Sequence, residues 1–321
     1  MTSISSKANI KPKTMFFQAL LAGTFAVGII SVLFPVCPSF PTANAQYWYI
    51  HMVCTNHQPR GNKNLLRTIF SSPFSSPSAS KPNLNRLRKH IYTYTSTSTE
   101  TPLIKNNPWA LMARIGDYAD KAGPLMIFRR GKLDIVHEAL VAMPEPPRVI
   151  LEFGSYVGVS ALGWGAILEG IHGVDAGAGM KGCCKVYTFE KDPDFVKMAR
   201  EVIELAGLSD IVTVVEGTAA EALRGLVAEG KVQRGSVDMV FLDHWEKYYL
   251  PDLRVCEELR VLRMGSLVVA DNTDKPGAPR YLEYVRAGGE EGGVRYETKT
   301  YQSRGERPGR PVSLDGPSVF I

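Results

Sequence analysis

The first 99 residues of this 321-residue chain contain no aspartate or glutamate. Residues 1–100 hold ten Lys or Arg and one acid, Glu100, whereas residues 101–321 hold 27 basic and 31 acidic side chains. The net charge of +5 is therefore a property of the N-terminal third. Because the remaining two thirds carry no basic cluster, we do not expect the folded part of the chain to bind nucleic acid.

Cysteine is also scarce. There are five cysteines, an odd number, and no CxxC occurs. This argues against a disulfide framework and against a zinc site. Of the five, Cys183 and Cys184 are adjacent, and we interpret them as free thiols in a loop.

A charge-free stretch of 22 residues spans 15–36, which is the length of a membrane-crossing helix. Lysines precede it within a basic tail, residues 1–14. We therefore expect a single-pass signal anchor and a membrane location. Two alternatives remain open: a signal peptide cleaved near Ala45, with entry into the secretory pathway, or a mitochondrial presequence. Residues 37–105 are rich in Ser, Thr and Pro, which predicts a disordered linker.

From residue 106 to residue 321, strand-like apolar runs alternate with amphipathic helical segments. This alternation predicts one α/β domain with a mostly parallel sheet and helices on both faces. Ligands bind such sheets beyond the carboxyl ends of the strands. Five predicted strands end in glycine or in polar residues, and we expect these ends to form one site.

The first two strand ends favour a ribose-containing cofactor. After the first strand, Gly154 and Gly158 form GxxxG and not GxGxxG, which counts against a nicotinamide-dependent oxidoreductase. After the second strand, Glu190 is placed to accept hydrogen bonds from vicinal ribose hydroxyls. S-adenosylmethionine has a ribose and no pyrophosphate, and Glu152 would meet its cationic amino-acid end.

Two further strand ends favour a metal. Asp243 follows one strand, and Asp271 and Asn272 follow the next. Two carboxylates and an amide oxygen are hard ligands of the type that Mg²⁺ accepts. Helix capping by the two aspartates is the structural alternative.

Three motifs then identify a resemblance. "LEFGSYVGVS", "VDMVFLDHWEKYYLPD" and "LVVADNTDKPGAP" closely resemble the catechol O-methyltransferase family, over about residues 106–321. The resemblance implies a Rossmann-like, seven-stranded class I methyltransferase fold. It also implies S-adenosylmethionine as methyl donor, Mg²⁺, and a catechol as acceptor. We expect a monomer.

Carried over by motif, the resemblance assigns the metal to Asp243, Asp271 and Asn272. The cofactor residues that it implies are Met126, Glu152, Gly154, Tyr156, Ser160, Glu190, Asp243, His244 and Trp245. The catechol would be bordered by Trp245, Asn272, Pro276 and Glu306.

One departure concerns the catalytic base. The family places a lysine directly after the tryptophan of "DHW", where this chain has Glu246 followed by Lys247. Our candidate base is Lys247, with Glu246 as the alternative, and we expect residues 245–248 to form a loop from which Lys247 reaches the site. The rival interpretation is a membrane-tethered, cofactor-binding protein that has lost catalysis.

Overall fold

A computed structural model describes residues 48–54, 81–97, 104–121, 125–173, 182, 184–273, 277–302 and 318–320. Residues 45–321 form one compact unit. The predicted anchor at 15–36 and the predicted substrate residues Pro276 and Glu306 lie outside the described residues. Within the described ranges, no helix is both long enough and apolar enough to cross a bilayer.

The described residues include eight strands: β1 Trp48–Cys54, β2 Val149–Phe153, β3 Lys185–Glu190, β4 Val212–Glu216, β5 Val237–Leu242, β6 Leu262–Ala270, β7 Arg295–Gln302 and β8 Ser318–Phe320. The α-helices are α1 Leu84–Thr97, α2 Pro108–Lys121, α3 Arg130–Val141, α4 Val159–His172, α5 Pro193–Leu205, α6 Ala219–Ala228, α7 Tyr249–Glu258 and α8 Pro279–Arg286. A 3₁₀ helix, Glu246–Tyr248, precedes α7.

The strands form one sheet in the order β4-β3-β2-β5-β6-β1-β7-β8. Every neighbouring pair is parallel except those of β8, which runs antiparallel to β1 and β7. The predicted α/β fold with a mostly parallel sheet is confirmed. All seven predicted strands are present, and within the described residues β1 is an additional strand of the sheet.

Two elements correct the interpretation of residues 37–105 as a linker. Strand β1 pairs with β6 and β7, and helix α1 packs on the domain. Within α1, Leu87 and Ile91 are four residues apart, so they share one helix face, and both are buried. Arg88 holds Glu201 of α5 through two hydrogen bonds of 2.6 and 3.0 Å. The residues on either side of α1 are rich in Ser and Thr, so their composition predicted a linker and not an amphipathic helix.

The core lies on both faces of the sheet. Helices α1 to α5 cover one face with residues such as Leu111 and Trp164, and α6 to α8 cover the other with residues such as Leu223 and Tyr281. Burial on both faces explains the continuous apolar runs of the central strands, because neither side of such a strand meets water.

The strands that follow β2 and the strands that follow β5 are added to the sheet in opposite directions. From β2 the sheet extends through β3 to β4, and from β5 it extends to β6. In open parallel sheets this reversal leaves a crevice beyond the carboxyl ends of the two central strands. Most of the predicted site residues flank this crevice.

Candidate active site

Asp243 and Asp271 stand at neighbouring strand tips. Their strands are paired, with Leu242 opposite Ala270 in the last register position. The Asp243 N–H donates to the Phe153 carbonyl at 2.9 Å, and the Asp271 N–H donates to the Leu242 carbonyl at 3.0 Å. These backbone bonds fix both carboxylates at one edge of the sheet, as the sequence predicted.

This edge carries an excess of negative charge. Burial raises the pKa of Asp243 well above its usual range, and the neighbouring charge of Asp271 raises it further. Glu152 and Glu246 act on the Asp243 pKa in the same direction, and Lys132 opposes them. A cation placed among these acids would relieve their repulsion.

Asn272 completes the predicted metal set. Its backbone is left-handed, with φ of 55°, a conformation that asparagine tolerates better than most residues. Its N–H donates to Asp271 Oδ1 at 2.8 Å. Across the described part of the chain, no group of three His, Cys, Asp or Glu side chains is arranged to hold a metal ion. The predicted set has two carboxylates and one amide, so its chemistry fits a hard cation that keeps several waters.

Glu190 ends β3 with its carboxylate turned toward the β2–α4 loop. The Tyr156 N–H donates to Glu190 Oε2 and the Asp192 N–H donates to Oε1, each at 2.9 Å. Burial raises the pKa of Glu190, and these backbone donors partly offset the rise. The carboxylate is thus held in a fixed orientation at the crevice.

Glu152 is the most deeply buried acid of the site. It is fully buried in β2, and its Oε1 accepts a 2.9 Å hydrogen bond from Trp164 Nε1. Its other oxygen, Oε2, is buried and has no hydrogen-bond partner among the described residues. Desolvation raises the pKa of Glu152 to about 7, against the opposing effect of Ser160, Thr188 and Trp164. A buried, unpaired carboxylate oxygen fits a cationic ligand group.

The two glycines after β2 are required by the protein's own backbone. Gly154 has φ of 105°, and a Cβ there would lie 2.6 Å from the Asp243 carbonyl oxygen. Gly158 has φ of 85°, caps the start of α4 and packs against Ala199. Ser160, in the first turn of α4, is buried. The close passage of β2 and β5 therefore depends on Gly154.

His244 is oriented by a carboxylate from the following helix. Its Nε2 lies 2.8 Å from Asp252 Oδ2, and its ring stacks on Tyr249 with centroids 5.2 Å apart. Its Nδ1 is buried and has no partner within the described chain. Like Glu152 Oε2, this atom is a buried polar atom whose capacity for a hydrogen bond is unused within the described residues.

The structure corrects the expected loop at residues 245–248. Residues 246–248 form a 3₁₀ helix that leads directly into α7. The Lys247 Nζ lies over the Trp245 ring, 3.2 Å from its centroid. The Glu246 carboxyl is partly buried, and its raised pKa reflects burial and, to a smaller extent, the charge of Asp271. Glu246 therefore interacts electrostatically with the acid cluster, and Lys247 packs on the tryptophan.

Met126 and Lys132 do not match the predicted set of site residues: Met126 was predicted to lie in the site, and Lys132 was not. Met126 is 46% exposed and shows no described contact with the crevice. Lys132 was not predicted, yet its Nζ lies 2.7 Å from Asp271 Oδ1 and 2.9 Å from Oδ2. The two residues are 139 positions apart, so no local motif could have revealed this pair.

The comparisons with known proteins concern the same part of the chain. A profile described as a methyltransferase domain matches residues 151–273, which span Glu152 to Asn272. The catechol O-methyltransferase of Bos taurus is 34% identical over 200 residues, covering 62% of this chain and 66% of that protein. That of Sus scrofa is 38% identical over 149 residues, covering 46% of this chain and 73% of that protein.

The chain belongs to the catechol O-methyltransferase family. It is also similar to a transmembrane O-methyltransferase homolog of Mus musculus, 32% identical over 171 residues, covering 53% of this chain and 58% of that protein. The residues that match the methyltransferase domain, 151–273, include Glu152, Glu190, Asp243 and Asp271. The resemblance inferred from the three motifs is confirmed.

Proposed function

We propose that this protein transfers the methyl group of S-adenosylmethionine to one hydroxyl of a catechol, in a reaction that requires Mg²⁺. The observation that carries the proposal is the pair Asp243 and Asp271 at adjacent strand tips, beside the buried Glu152 and the half-buried Glu190. The two aspartates suit a hard cation. Glu190 suits the ribose of the methyl donor, and Glu152 suits its ammonium group.

In this proposal the crevice between β2 and β5 binds the methyl donor. Glu190, fixed by two backbone N–H groups, accepts hydrogen bonds from the ribose hydroxyls. The free Oε2 of Glu152 receives the ammonium group. His244, held by Asp252, presents its unpaired Nδ1 toward the ligand. We keep Met126, Gly154, Tyr156, Ser160 and Trp245 as further cofactor residues.

Asp243, Asp271 and Asn272 are the residues that would hold Mg²⁺. When bound, a divalent cation favours the ionised form of a hydroxyl that it contacts. Trp245, 39% exposed, offers a flat apolar surface to the catechol ring, and Pro276 and Glu306 remain proposed substrate contacts. The protein's own part is largely to orient acceptor oxygen and methyl group in line.

A base must accept the phenolic proton as the oxygen–methyl bond forms and the sulfur–methyl bond breaks. We assign this role to Glu246. The Nζ of Lys247 lies over the Trp245 ring, 3.2 Å from its centroid, so this side chain packs on the indole. The partly buried Glu246 carboxyl has a raised pKa, which makes it a better proton acceptor than an exposed glutamate.

Membrane attachment through residues 15–36 is the second part of the proposal. The stretch is charge-free over 22 residues, which suffices to cross a bilayer, and three lysines precede it. The similarity to a protein named as a transmembrane O-methyltransferase homolog supports this placement. Retention in the membrane fraction after alkaline carbonate washing tests it. A mature N-terminus at Gln46 would refute the anchor.

The transfer reaction is tested directly with labelled S-adenosylmethionine. We expect the label to appear on catechol and not on phenol, because one hydroxyl alone cannot chelate a cation. Calorimetric titration should show binding of S-adenosylmethionine and none of NAD. Binding without transfer to any catechol would instead identify a cofactor-binding protein that has lost catalysis.

A further inference from the structure

Lys132 makes a nearly buried ion pair with one of the proposed metal ligands. It lies in the first turn of α3, and its Nζ contacts both carboxylate oxygens of Asp271, at 2.7 and 2.9 Å. The side chains of Lys132 and Asp271 are only 12% and 6% exposed. An ion pair so far removed from water is screened much less than one at the surface.

A divalent cation held by Asp271 would use the same carboxylate oxygens that Lys132 contacts. Asp243 lies on the adjacent strand tip, because Leu242 is paired with Ala270 in the register of β5 and β6. Lys132 also lies 5.6 Å from the centroid of the Phe128 ring, a second favourable position for its charge. Asp271 therefore has a resident cation supplied by the chain itself.

We propose that Lys132 acts as a built-in counter-ion, which holds Asp271 when no divalent cation is bound and competes with that cation for the carboxylate. The inference rests on the proposed metal site. Binding of a divalent cation must break or weaken the bidentate contact between Lys132 and Asp271. Lys132 consequently keeps the acid cluster stable without metal and lowers the affinity for it.

The test is calorimetric titration of MgCl₂ into the purified full chain, without methyl donor or catechol. Lys132→Gln removes the competing charge, so it should bind Mg²⁺ at least about tenfold more tightly than the parent, or about 1.4 kcal/mol. Lys132→Met, which keeps the length of the side chain and loses its charge, should act in the same direction. Without Mg²⁺, both variants should melt at a lower temperature than the parent, and saturating Mg²⁺ should reduce this difference.

Arg130→Gln is the matched control. Arg130 lies in the same helical turn, and it pairs with the exposed Asp134 and not with the site. Its loss should leave the Mg²⁺ affinity unchanged. Equal or weaker Mg²⁺ binding by folded Lys132→Gln and Lys132→Met would overturn the counter-ion role while leaving the metal site intact. Absence of Mg²⁺ binding in the parent and in every variant would overturn both.

Discussion

Glu190 accepts a 2.9 Å hydrogen bond from the backbone N–H of Tyr156, a residue in the left-handed conformation with φ of 48°. This contact ties the end of β3 to the loop after β2. Left-handed backbone is costly for a tyrosine, and the bond to a carboxylate helps to hold it. The loop and the acid proposed to bind the ribose are thus fixed together.

Loss of this carboxylate should weaken binding of the methyl donor. Glu190→Ala is expected to cost about 1.5–3 kcal/mol of S-adenosylmethionine affinity, the range for hydrogen bonds to a charged group. Glu216→Ala is the matched control, because Glu216 is paired with Glu190 in the register of β3 and β4 and ends the neighbouring strand. Calorimetric titration gives both affinities. Equal affinities of the two variants for S-adenosylmethionine would show that Glu190 does not bind the methyl donor.

The assignment of the base predicts different losses for two adjacent residues. Glu246→Gln should lower the turnover rate by about 10²–10⁴-fold, the usual effect of losing a positioned base. Lys247→Met should leave turnover within a few-fold of the parent, because its ammonium packs on Trp245. Steady-state rates at saturating donor and catechol give the comparison. A dead Lys247→Met beside an active Glu246→Gln would reverse the assignment.

Docking of helix α1 predicts a stability effect at a position in the supposed linker. Leu87→Ala should lower the free energy of unfolding by about 2–5 kcal/mol, as for other buried leucines. Lys89→Ala, at an exposed position of the same helix, should stay within about 0.5 kcal/mol of the parent. Urea unfolding measures both. Equal midpoints for the two variants would mean that α1 is not part of the domain.

The buried Glu152 predicts a dependence of stability on pH. Its pKa is raised from 4.5 to about 7 in the folded state, so the folded protein keeps a proton that the unfolded chain has already lost. Between these pH values, ionisation of Glu152 therefore removes stability as the pH rises.

Glu152→Gln should abolish this part of the pH dependence. At pH 4 the variant should be about as stable as the parent, and at pH 8 it should be more stable by up to about 3 kcal/mol. Urea unfolding at both pH values gives the difference. A difference that does not change with pH would show that Glu152 ionises normally in the folded protein.

The sequence predicts those features that depend on neighbours along the chain. The strand before Asp243 is visible in the apolar residues 239–242, and the parallel sheet then places its tip beside Asp271. Lys132 approaches Asp271 only through the packing of α3, which no periodicity reveals. The 3₁₀ helix at Glu246 was missed because Pro251 in the first turn of α7 is also compatible with a preceding loop. In α1 the helical spacing of Leu87 and Ile91 is visible in the sequence, but the Ser/Thr-rich residues around them favoured a linker.

The most direct test of the account is methyl transfer from labelled S-adenosylmethionine to catechol in excess Mg²⁺ and in excess chelator. Asp243, Asp271 and Asn272 offer only oxygen ligands, so Mg²⁺ should support turnover and chelation should abolish it. Asp243→Ala should be inactive in both conditions. Label on catechol only when Mg²⁺ is present is the predicted result. Full turnover in excess chelator, or no transfer with Mg²⁺ present, would contradict the account.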